Sequence, residues 1–130
     1  MEFLHLRFDD VMVAVPVGRI DYSSAERLKQ GLAPLLDGRG AASTALVLDF
    51  AGVEYICSVG LRVLMVAARQ VRAQNGRIAV AALQPIVNEI FEISRFTHVL
   101  EIFPTMRAAL EALSPTALAA YDASANSSQQ

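Results

Sequence analysis

Two apolar runs of strand length constrain the fold of this chain more than any other feature. TALVLDF at residues 44–50 and RIAVAAL at residues 77–83 are almost wholly apolar. A strand of this composition is buried on both faces, as in a parallel or mixed sheet covered by helices. Residues 59–74 between them show apolar positions at helical spacing and end at Asn-Gly, which indicates a connecting helix. We therefore expect an α/β protein with TALVLDF as its central strand.

The N-terminal segment is predicted to form an antiparallel hairpin. FLHLRF and VMVAVPV are short runs rich in β-forming residues, and Asp9 and Asp10 between them suit a turn. Pro16 has no amide hydrogen, so we expect the second strand to be exposed or frayed at that point.

A first helix is predicted after the hairpin. Ser23 lies three residues before Glu26, the spacing of a capping box. Apolar residues then follow at helical intervals, namely Ala25, Leu28, Leu32 and Leu35. The helix is expected to end near Leu36, and DGRGAAST at residues 37–44 has the composition of a loop.

The C-terminal third is predicted to contain two helices and a short strand. Pro85 suits the first position of a third helix that continues to about Ser94. VLEIF is expected as an edge strand, and Thr105 to Leu113 as the last helix. Residues 114–130, rich in Ala and Ser, are predicted to be a partly disordered tail. The expected fold is one domain over residues 1–113, with a mixed sheet of four to five strands and about four helices.

Composition limits the class of function. The chain has 130 residues, one cysteine and a net charge of −2, which predict one domain without a disulfide and no surface for nucleic acid. No apolar run approaches the roughly 18 residues that a membrane span needs. The start, MEFLHLRFDD, does not have the pattern of a secretory signal, so a cytoplasmic location is expected.

The second helix is predicted to have two apolar faces. The face expected against the sheet consists of Leu61, Leu64, Met65, Ala68 and Val71. Val59, Val63 and Val66 form a second stripe on roughly the opposite side, near Arg62 and Arg69. An apolar stripe of this kind is expected to be covered by a neighbouring helix or by another protein. Another helix of the same domain, with the third helix as the candidate, and a partner protein are both open at this point.

Three phrases resemble the STAS domain family, whose bacterial members include anti-sigma factor antagonists. These are GRIDYSSAERL, LVLDFAGVEYICSVGLRVLM and NGRIAVAALQPIVNEIFEISRF, and the likeness runs from about Leu4 to Leu113. The resemblance implies a STAS-like sandwich that binds a protein without catalysis or cofactor. In that family the unphosphorylated protein binds an anti-sigma factor that is also a serine kinase, which frees the sigma factor.

The resemblance is incomplete at the position that is phosphorylated in the family. The family loop commonly reads Asp-Ser-Ser-Gly or Asp-Ser-Thr-Gly, with the phosphoacceptor directly before glycine. Aligned on Gly60, this chain has Cys57 at the aspartate, Ser58 at the first hydroxyl and Val59 at the phosphoacceptor. The likeness therefore implies either a missing switch and a constitutive binder, or a switch displaced to Ser58.

The resemblance and the helix pattern together define a candidate partner-binding loop, which consists of Asp21, Cys57, Ser58, Val59, Gly60 and Arg62. Several members have ordinary explanations as well. Ser58 suits the N-cap of the helix, and Asp21 suits the turn before Ser23. Cys57 is either a thiol activated by the helix end or a small buried apolar residue. Arg62 and Arg69 are solvated charges or contacts for an acidic partner.

Catalytic and metal sites are poorly supported. The only histidines, His5 and His98, are far in sequence from Cys57 and Ser58, and there is no Gly-x-Ser-x-Gly motif. No His or Cys pair has metal-ligand spacing, and Gly-Arg-Gly at residues 38–40 is not a Walker motif. We expect no enzyme activity, no metal and no cofactor.

Two other functional classes remain open. A STAS domain can also serve as a regulatory subunit of a membrane lipid or anion transport system, which would have a similar loop. A sensor that binds a small ligand in an apolar pocket between helices is the other. A homodimer also remains open beside an anti-sigma factor of the serine kinase type as partner.

Overall fold

The computed structural model describes residues 1–36 and 45–128. The predicted loop at residues 37–44 and the last two residues of the predicted tail lie outside the described residues. The described elements are β1 (Glu2–Phe8), β2 (Val11–Ile20), α1 (Ala25–Leu36), β3 (Ala45–Asp49), β4 (Val53–Ile56), α2 (Ser58–Ala73), β5 (Arg77–Ala81), α3 (Pro85–Ile93), a 3-10 turn (Phe96–His98), β6 (Glu101–Phe103), α4 (Met106–Leu113) and α5 (Pro115–Ser128).

The strands form one mixed sheet, as predicted, with β3 at its centre. Their order is β1-β2-β3-β5-β6, and β4 pairs with β2. β1 runs antiparallel to β2, and the remaining pairs are parallel. Within the described residues the sheet has six strands, one more than the largest number predicted. The strand that the sequence did not predict is β4, which is four residues long and carries the exposed Glu54.

Pro16 is buried in β2, so the expectation of an exposed or frayed strand was wrong. The neighbour of β2 changes along its length: Val11–Ala14 pair with β3, and Gly18–Ile20 pair with β4. Pro16 lies in the interval between these two segments. On the side of β2 that faces β3 and β4, Pro16 has no pairing partner, so its missing N–H interrupts no hydrogen bond of the sheet there.

Helices cover both faces of the sheet because successive strand residues point to opposite sides. In β3, Leu46 and Leu48 belong to the core shared with α1, α2 and α3. Ala45 and Val47 belong to a second core, which includes Leu110 of α4 and other residues of α4 and α5. The described part of the apolar run, residues 45–50, is thus buried on both sides, as its composition predicted.

The predicted ends of α2, α3 and α4 agree with the structure within one or two residues. α2 ends before Asn75, which has a φ of 61° and therefore cannot continue a right-handed helix. The Gly76 N–H returns to the Val71 carbonyl (2.9 Å) and closes the helix. Thr105 caps α4, because its Oγ1 accepts a hydrogen bond from the Ala108 N–H at 3.0 Å.

A fifth helix, α5, follows the four that were predicted. It begins at Pro115, inside the segment for which a partly disordered tail was expected. Ala117 is fully buried, and the Tyr121 ring packs edge-on against Phe8 with centroids 5.4 Å apart. The Ser114 hydroxyl donates to Asp10 Oδ1 (2.7 Å), which ties the start of α5 to the hairpin turn. None of the described helices is both long and apolar enough to cross a membrane.

Candidate partner-binding site at the start of α2

The ends of two parallel strands bring the predicted site residues together. Ile20 at the end of β2 pairs with Ile56 at the end of β4. The Cys57 N–H donates to the Ile20 carbonyl at 2.8 Å. Asp21 and Ser58 each follow one of these residues, so two segments that are far apart in sequence meet at one edge of the sheet.

Asp21 orders the turn that leads into α1. Its Oδ1 accepts hydrogen bonds from the Ser23 hydroxyl (2.8 Å), the Ser24 N–H (3.0 Å) and the Ser24 hydroxyl (3.0 Å). These bonds, first of all the one from Ser23, lower the pKa of the Asp21 carboxyl below its ordinary value. The expected capping box does not describe this helix start. The Ser23 hydroxyl is turned toward Asp21, and α1 begins directly after Ser24.

The start of α2 lies one residue earlier than predicted. Cys57 occupies the N-cap position, its side chain makes no capping hydrogen bond, and its carbonyl accepts the Leu61 N–H at 3.0 Å. Ser58 is the first residue of the helix, so the expectation that it caps the helix was wrong. The cause is the Cys57 bond to Ile20, which fixes the helix start at Cys57. Ser58 is exposed, and Cys57 is half-buried.

Gly60 allows α2 to approach the strand ends closely. A Cβ atom at this position would lie 2.7 Å from Cγ2 of Ile20 and 2.9 Å from Cγ1 of Ile56. Both isoleucine side chains are buried, so neither has space into which to move. Gly60 therefore sets the position of α2, and it presents no surface to a partner because it is itself buried.

The exposed part of the loop is small and combines a hydroxyl, an apolar side chain and a cation. Ser58 and Arg62 are exposed, and 38% of Val59 is exposed. Tyr22 lies nearby with 81% of its surface exposed. The sequence did not single out Tyr22, although an aromatic residue directly after the turn-forming Asp21 was a usable signal. The first turn of α2 contains no acidic residue.

The second apolar stripe of α2 faces α1, and among the described residues none of α3 lines the groove beside it. α1 and α2 form the walls of a groove of about 600 Å³. Its lining comprises Tyr22, Ala25, Glu26, Lys29, Leu32, Ala33, Leu36, Val59, Arg62, Val63, Val66, Ala67 and Gln70. Another helix of the same domain therefore lies beside the stripe, but it is α1, so the prediction of the third helix was wrong. The groove is open, because Val66 keeps 54% of its surface exposed.

The charged residues that line this groove are two cations, Lys29 and Arg62, and one acid, Glu26. α2 carries Arg62, Arg69 and Arg72 and no acidic residue. Lys29 lines the wall formed by α1, where Glu26 is the one acidic residue of the lining. Within the part of the chain that the structure describes, neither Lys29 nor Arg62 forms an ion pair. An apolar floor with unpaired cations at its rim favours an amphipathic, acidic binding partner.

The remaining chemical candidates do not meet at this site. His5 lies in β1, and His98 lies in the 3-10 turn; both are exposed. Across residues 1–36 and 45–128, no group of three or more His, Cys, Asp or Glu side chains could hold a metal ion. Gly-Arg-Gly at residues 38–40 lies outside the described residues.

The fold and the match to a known domain define the class of this protein. The sequence pattern of the STAS domain matches residues 6–109, most of the chain. The protein therefore belongs to the STAS domain family, as its sequence phrases predicted.

Relatives with names or solved structures include anti-sigma factor antagonists. A Bordetella bronchiseptica protein, BtrV, named as a candidate anti-sigma factor antagonist, is 37% identical over 98 residues, which cover 75% of this chain and 79% of BtrV. An anti-sigma factor antagonist from Mycobacterium paratuberculosis superposes with a TM-score of 0.76 at 27% identity, covering 86% of this chain and 92% of that one. The mouse anion transporter Slc26a9 contains a similar fold, with a TM-score of 0.69 at 16% identity, covering 81% of this chain and 18% of the transporter.

Proposed function

We propose that this protein is an anti-sigma factor antagonist that binds an anti-sigma factor of the serine kinase type and thereby releases a sigma factor. Its relatives support the class of function. The observation that carries the proposed site is the exposed start of α2, where Ser58, Val59 and Arg62 reach solvent and the first turn of the helix has no acidic residue. A partner can pack there against an apolar and cationic surface.

Val59 would keep this surface permanently in its binding form. A phosphate adds about −1.5 to −2 charges, and a helix N-terminus tolerates them because its free N–H groups are partly positive. A partner packed on the same helix start would have to bury that charge, which costs several kcal/mol when it is unpaired. Valine cannot be phosphorylated, so binding does not depend on a phosphatase.

Neighbouring residues have supporting roles in this proposal. Asp21 orders the turn that presents Tyr22, and Gly60 sets the height of α2 above the strands. Arg62 supplies a cation for an acidic partner. Cys57 lies half-buried beneath the contact as the N-cap of α2.

Binding of a kinase-type anti-sigma factor from the same organism tests this proposal. Val59→Asp is expected to weaken the dissociation constant, measured by titration calorimetry, by about 10- to 100-fold, or about 1.4–2.8 kcal/mol. Val17→Asp is the matched control, because Val17 in β2 is also 38% exposed but lies away from the α2 start. The proposal fails if the natural protein does not bind the anti-sigma factor. It also fails if Val59→Asp and Val17→Asp bind the anti-sigma factor with the same dissociation constant.

A phosphorylation assay distinguishes a constitutive binder from a protein whose switch is displaced to Ser58. After incubation with the kinase and ATP, mass spectrometry should find no phosphate on the natural protein. Val59→Ser should restore a phosphoacceptor at position 59. Ser58 is the one alternative, since it is exposed at the first position of the helix. Stoichiometric phosphate on Ser58 would contradict constitutive binding.

A regulatory role in membrane transport is the second candidate. It is favoured by the likeness in fold to the Slc26a9 transporter, which at 16% identity concerns the fold alone. Neighbouring genes distinguish the two functions. Genes for a serine kinase or serine phosphatase favour the sigma pathway, and permease genes favour transport.

A further inference from the structure

One face of α3 is largely exposed in the part of the chain that the structure describes. Ile86, Ile90 and Ile93 have the spacing i, i+4, i+7 and form one apolar stripe. Ile86 keeps 53% and Ile93 81% of its surface exposed, and Ile90 is only partly buried. Two exposed acidic residues, Glu89 and Glu92, belong to the same helix, which has no basic residue. α3 thus presents an amphipathic and acidic surface.

This surface matches the groove between α1 and α2 in polarity and charge. The lining of the groove is mostly apolar, and its charged residues are the acidic Glu26 and two cations, Lys29 and Arg62, which form no ion pair among the described residues. α3 supplies an apolar stripe flanked by carboxylates, so the two surfaces are complementary in polarity and in charge.

The two surfaces also match in length. The lining of the groove extends along α2 from Val59 to Gln70, about 16 Å at the rise of an α-helix. α3, from Pro85 to Ile93, is about 12 Å long. Within one chain α3 packs on β4 and contributes no residue to the groove. A second copy can therefore provide the helix that the groove accepts.

We propose that copies of this chain associate head to tail, with the Ile86–Ile93 stripe of α3 from one copy seated in the α1–α2 groove of the next. Such an interface is heterologous, because the two copies contribute different surfaces. One short helix in one groove buries little area, so the association is weak and depends on concentration. The occupied groove covers Val59 and Arg62, so self-association would compete with the partner. That consequence rests on the proposed function, whereas the association itself does not.

Two single variants and their mixture test the head-to-tail contact. Ile93→Asp removes the stripe, and Val66→Asp blocks the groove; both positions are exposed, so folding should survive. Light scattering on a sizing column, from about 10 µM to 1 mM, covers the range of a weak interface. The natural full-length chain should rise in mass above the 14.0 kDa monomer, and each variant alone should remain monomeric. An equimolar mixture should form a 1:1 dimer, because one variant keeps the groove and the other keeps α3.

Leu4→Asp is the control, since Leu4 in β1 is 63% exposed and lies outside both surfaces. It should associate like the natural chain. The proposal is overturned if the natural chain stays monomeric up to about 1 mM, if Leu4→Asp alone abolishes association, or if the mixed variants remain monomeric. The assay needs no anti-sigma factor, so its failure leaves the proposed function untouched.

Discussion

Gly60 determines how closely α2 approaches the strands on which it rests. Gly60→Ala would place a methyl group against Ile20 and Ile56, at 2.7 and 2.9 Å. Overpacking costs about 1–3 kcal/mol, and alanine regains about 1 kcal/mol of helix propensity. We expect a net loss of up to about 2 kcal/mol in the free energy of unfolding, measured with urea. Ser58→Ala is the control in the same turn. It should change the stability by less than about 0.5 kcal/mol, because Ser58 is not the N-cap. A larger loss in the control than in Gly60→Ala would contradict this account.

Asp21 gives the turn before α1 a pH dependence. Hydrogen bonds from Ser23 and Ser24 lower its folded-state pKa below the ordinary value of 3.8. Their contribution to stability is therefore complete above the unfolded-state pKa and is lost as the pH falls through the lower folded-state pKa. In a carbon-detected NMR titration, Ser23→Ala should move the Asp21 midpoint up toward 3.8. Ser94→Ala, at the far end of α3, should leave it unchanged. An unmoved midpoint in Ser23→Ala would refute the assignment.

At the scale of elements, periodicity predicted which segments are helices, and tertiary contacts decided how they begin. The bounds of α2 followed from its apolar spacing and from Asn-Gly at its end. Its N-cap did not, because a hydrogen bond from Cys57 to Ile20 of another strand places the start at Cys57. Another helix of the same domain was expected beside the Val59 stripe and is found there, but it is α1 and not the third helix. A single helix pattern carries no information about which helix lies beside it.

α5 is the element that the sequence predicted least well. Its apolar residues are mostly alanines, and they form no stripe that would distinguish a helix from a tail. Deleting residues 114–130 should cost about 2–4 kcal/mol in urea unfolding, because Ala117 and Tyr121 cover the sheet and Phe8. Tyr121→Phe keeps the ring and should remain within about 0.5 kcal/mol of the natural chain. An unchanged midpoint after the deletion would show that α5 contributes nothing to stability.

At the scale of the whole molecule, the order of strands and helices was enough to predict the class of fold. The meeting of Asp21 with the start of α2 depends on the pairing of β2 with β4, and the four-residue β4 was too short to be predicted. The same pairing explains why Pro16 is tolerated inside β2. The sequence signal for Tyr22 was its position directly after Asp21, but its place beside the groove follows only from the folded chain.

Mapping the contact on the whole protein tests the central claim most directly. Backbone amide shifts of the isotope-labelled chain would be followed while an unlabelled anti-sigma factor is added. We predict that the largest changes fall on Tyr22 and on Ser58 through Val66. Changes concentrated on Leu4, Leu6 and α5, on the opposite side of the sheet, would contradict the assignment of the α2 start as the docking surface.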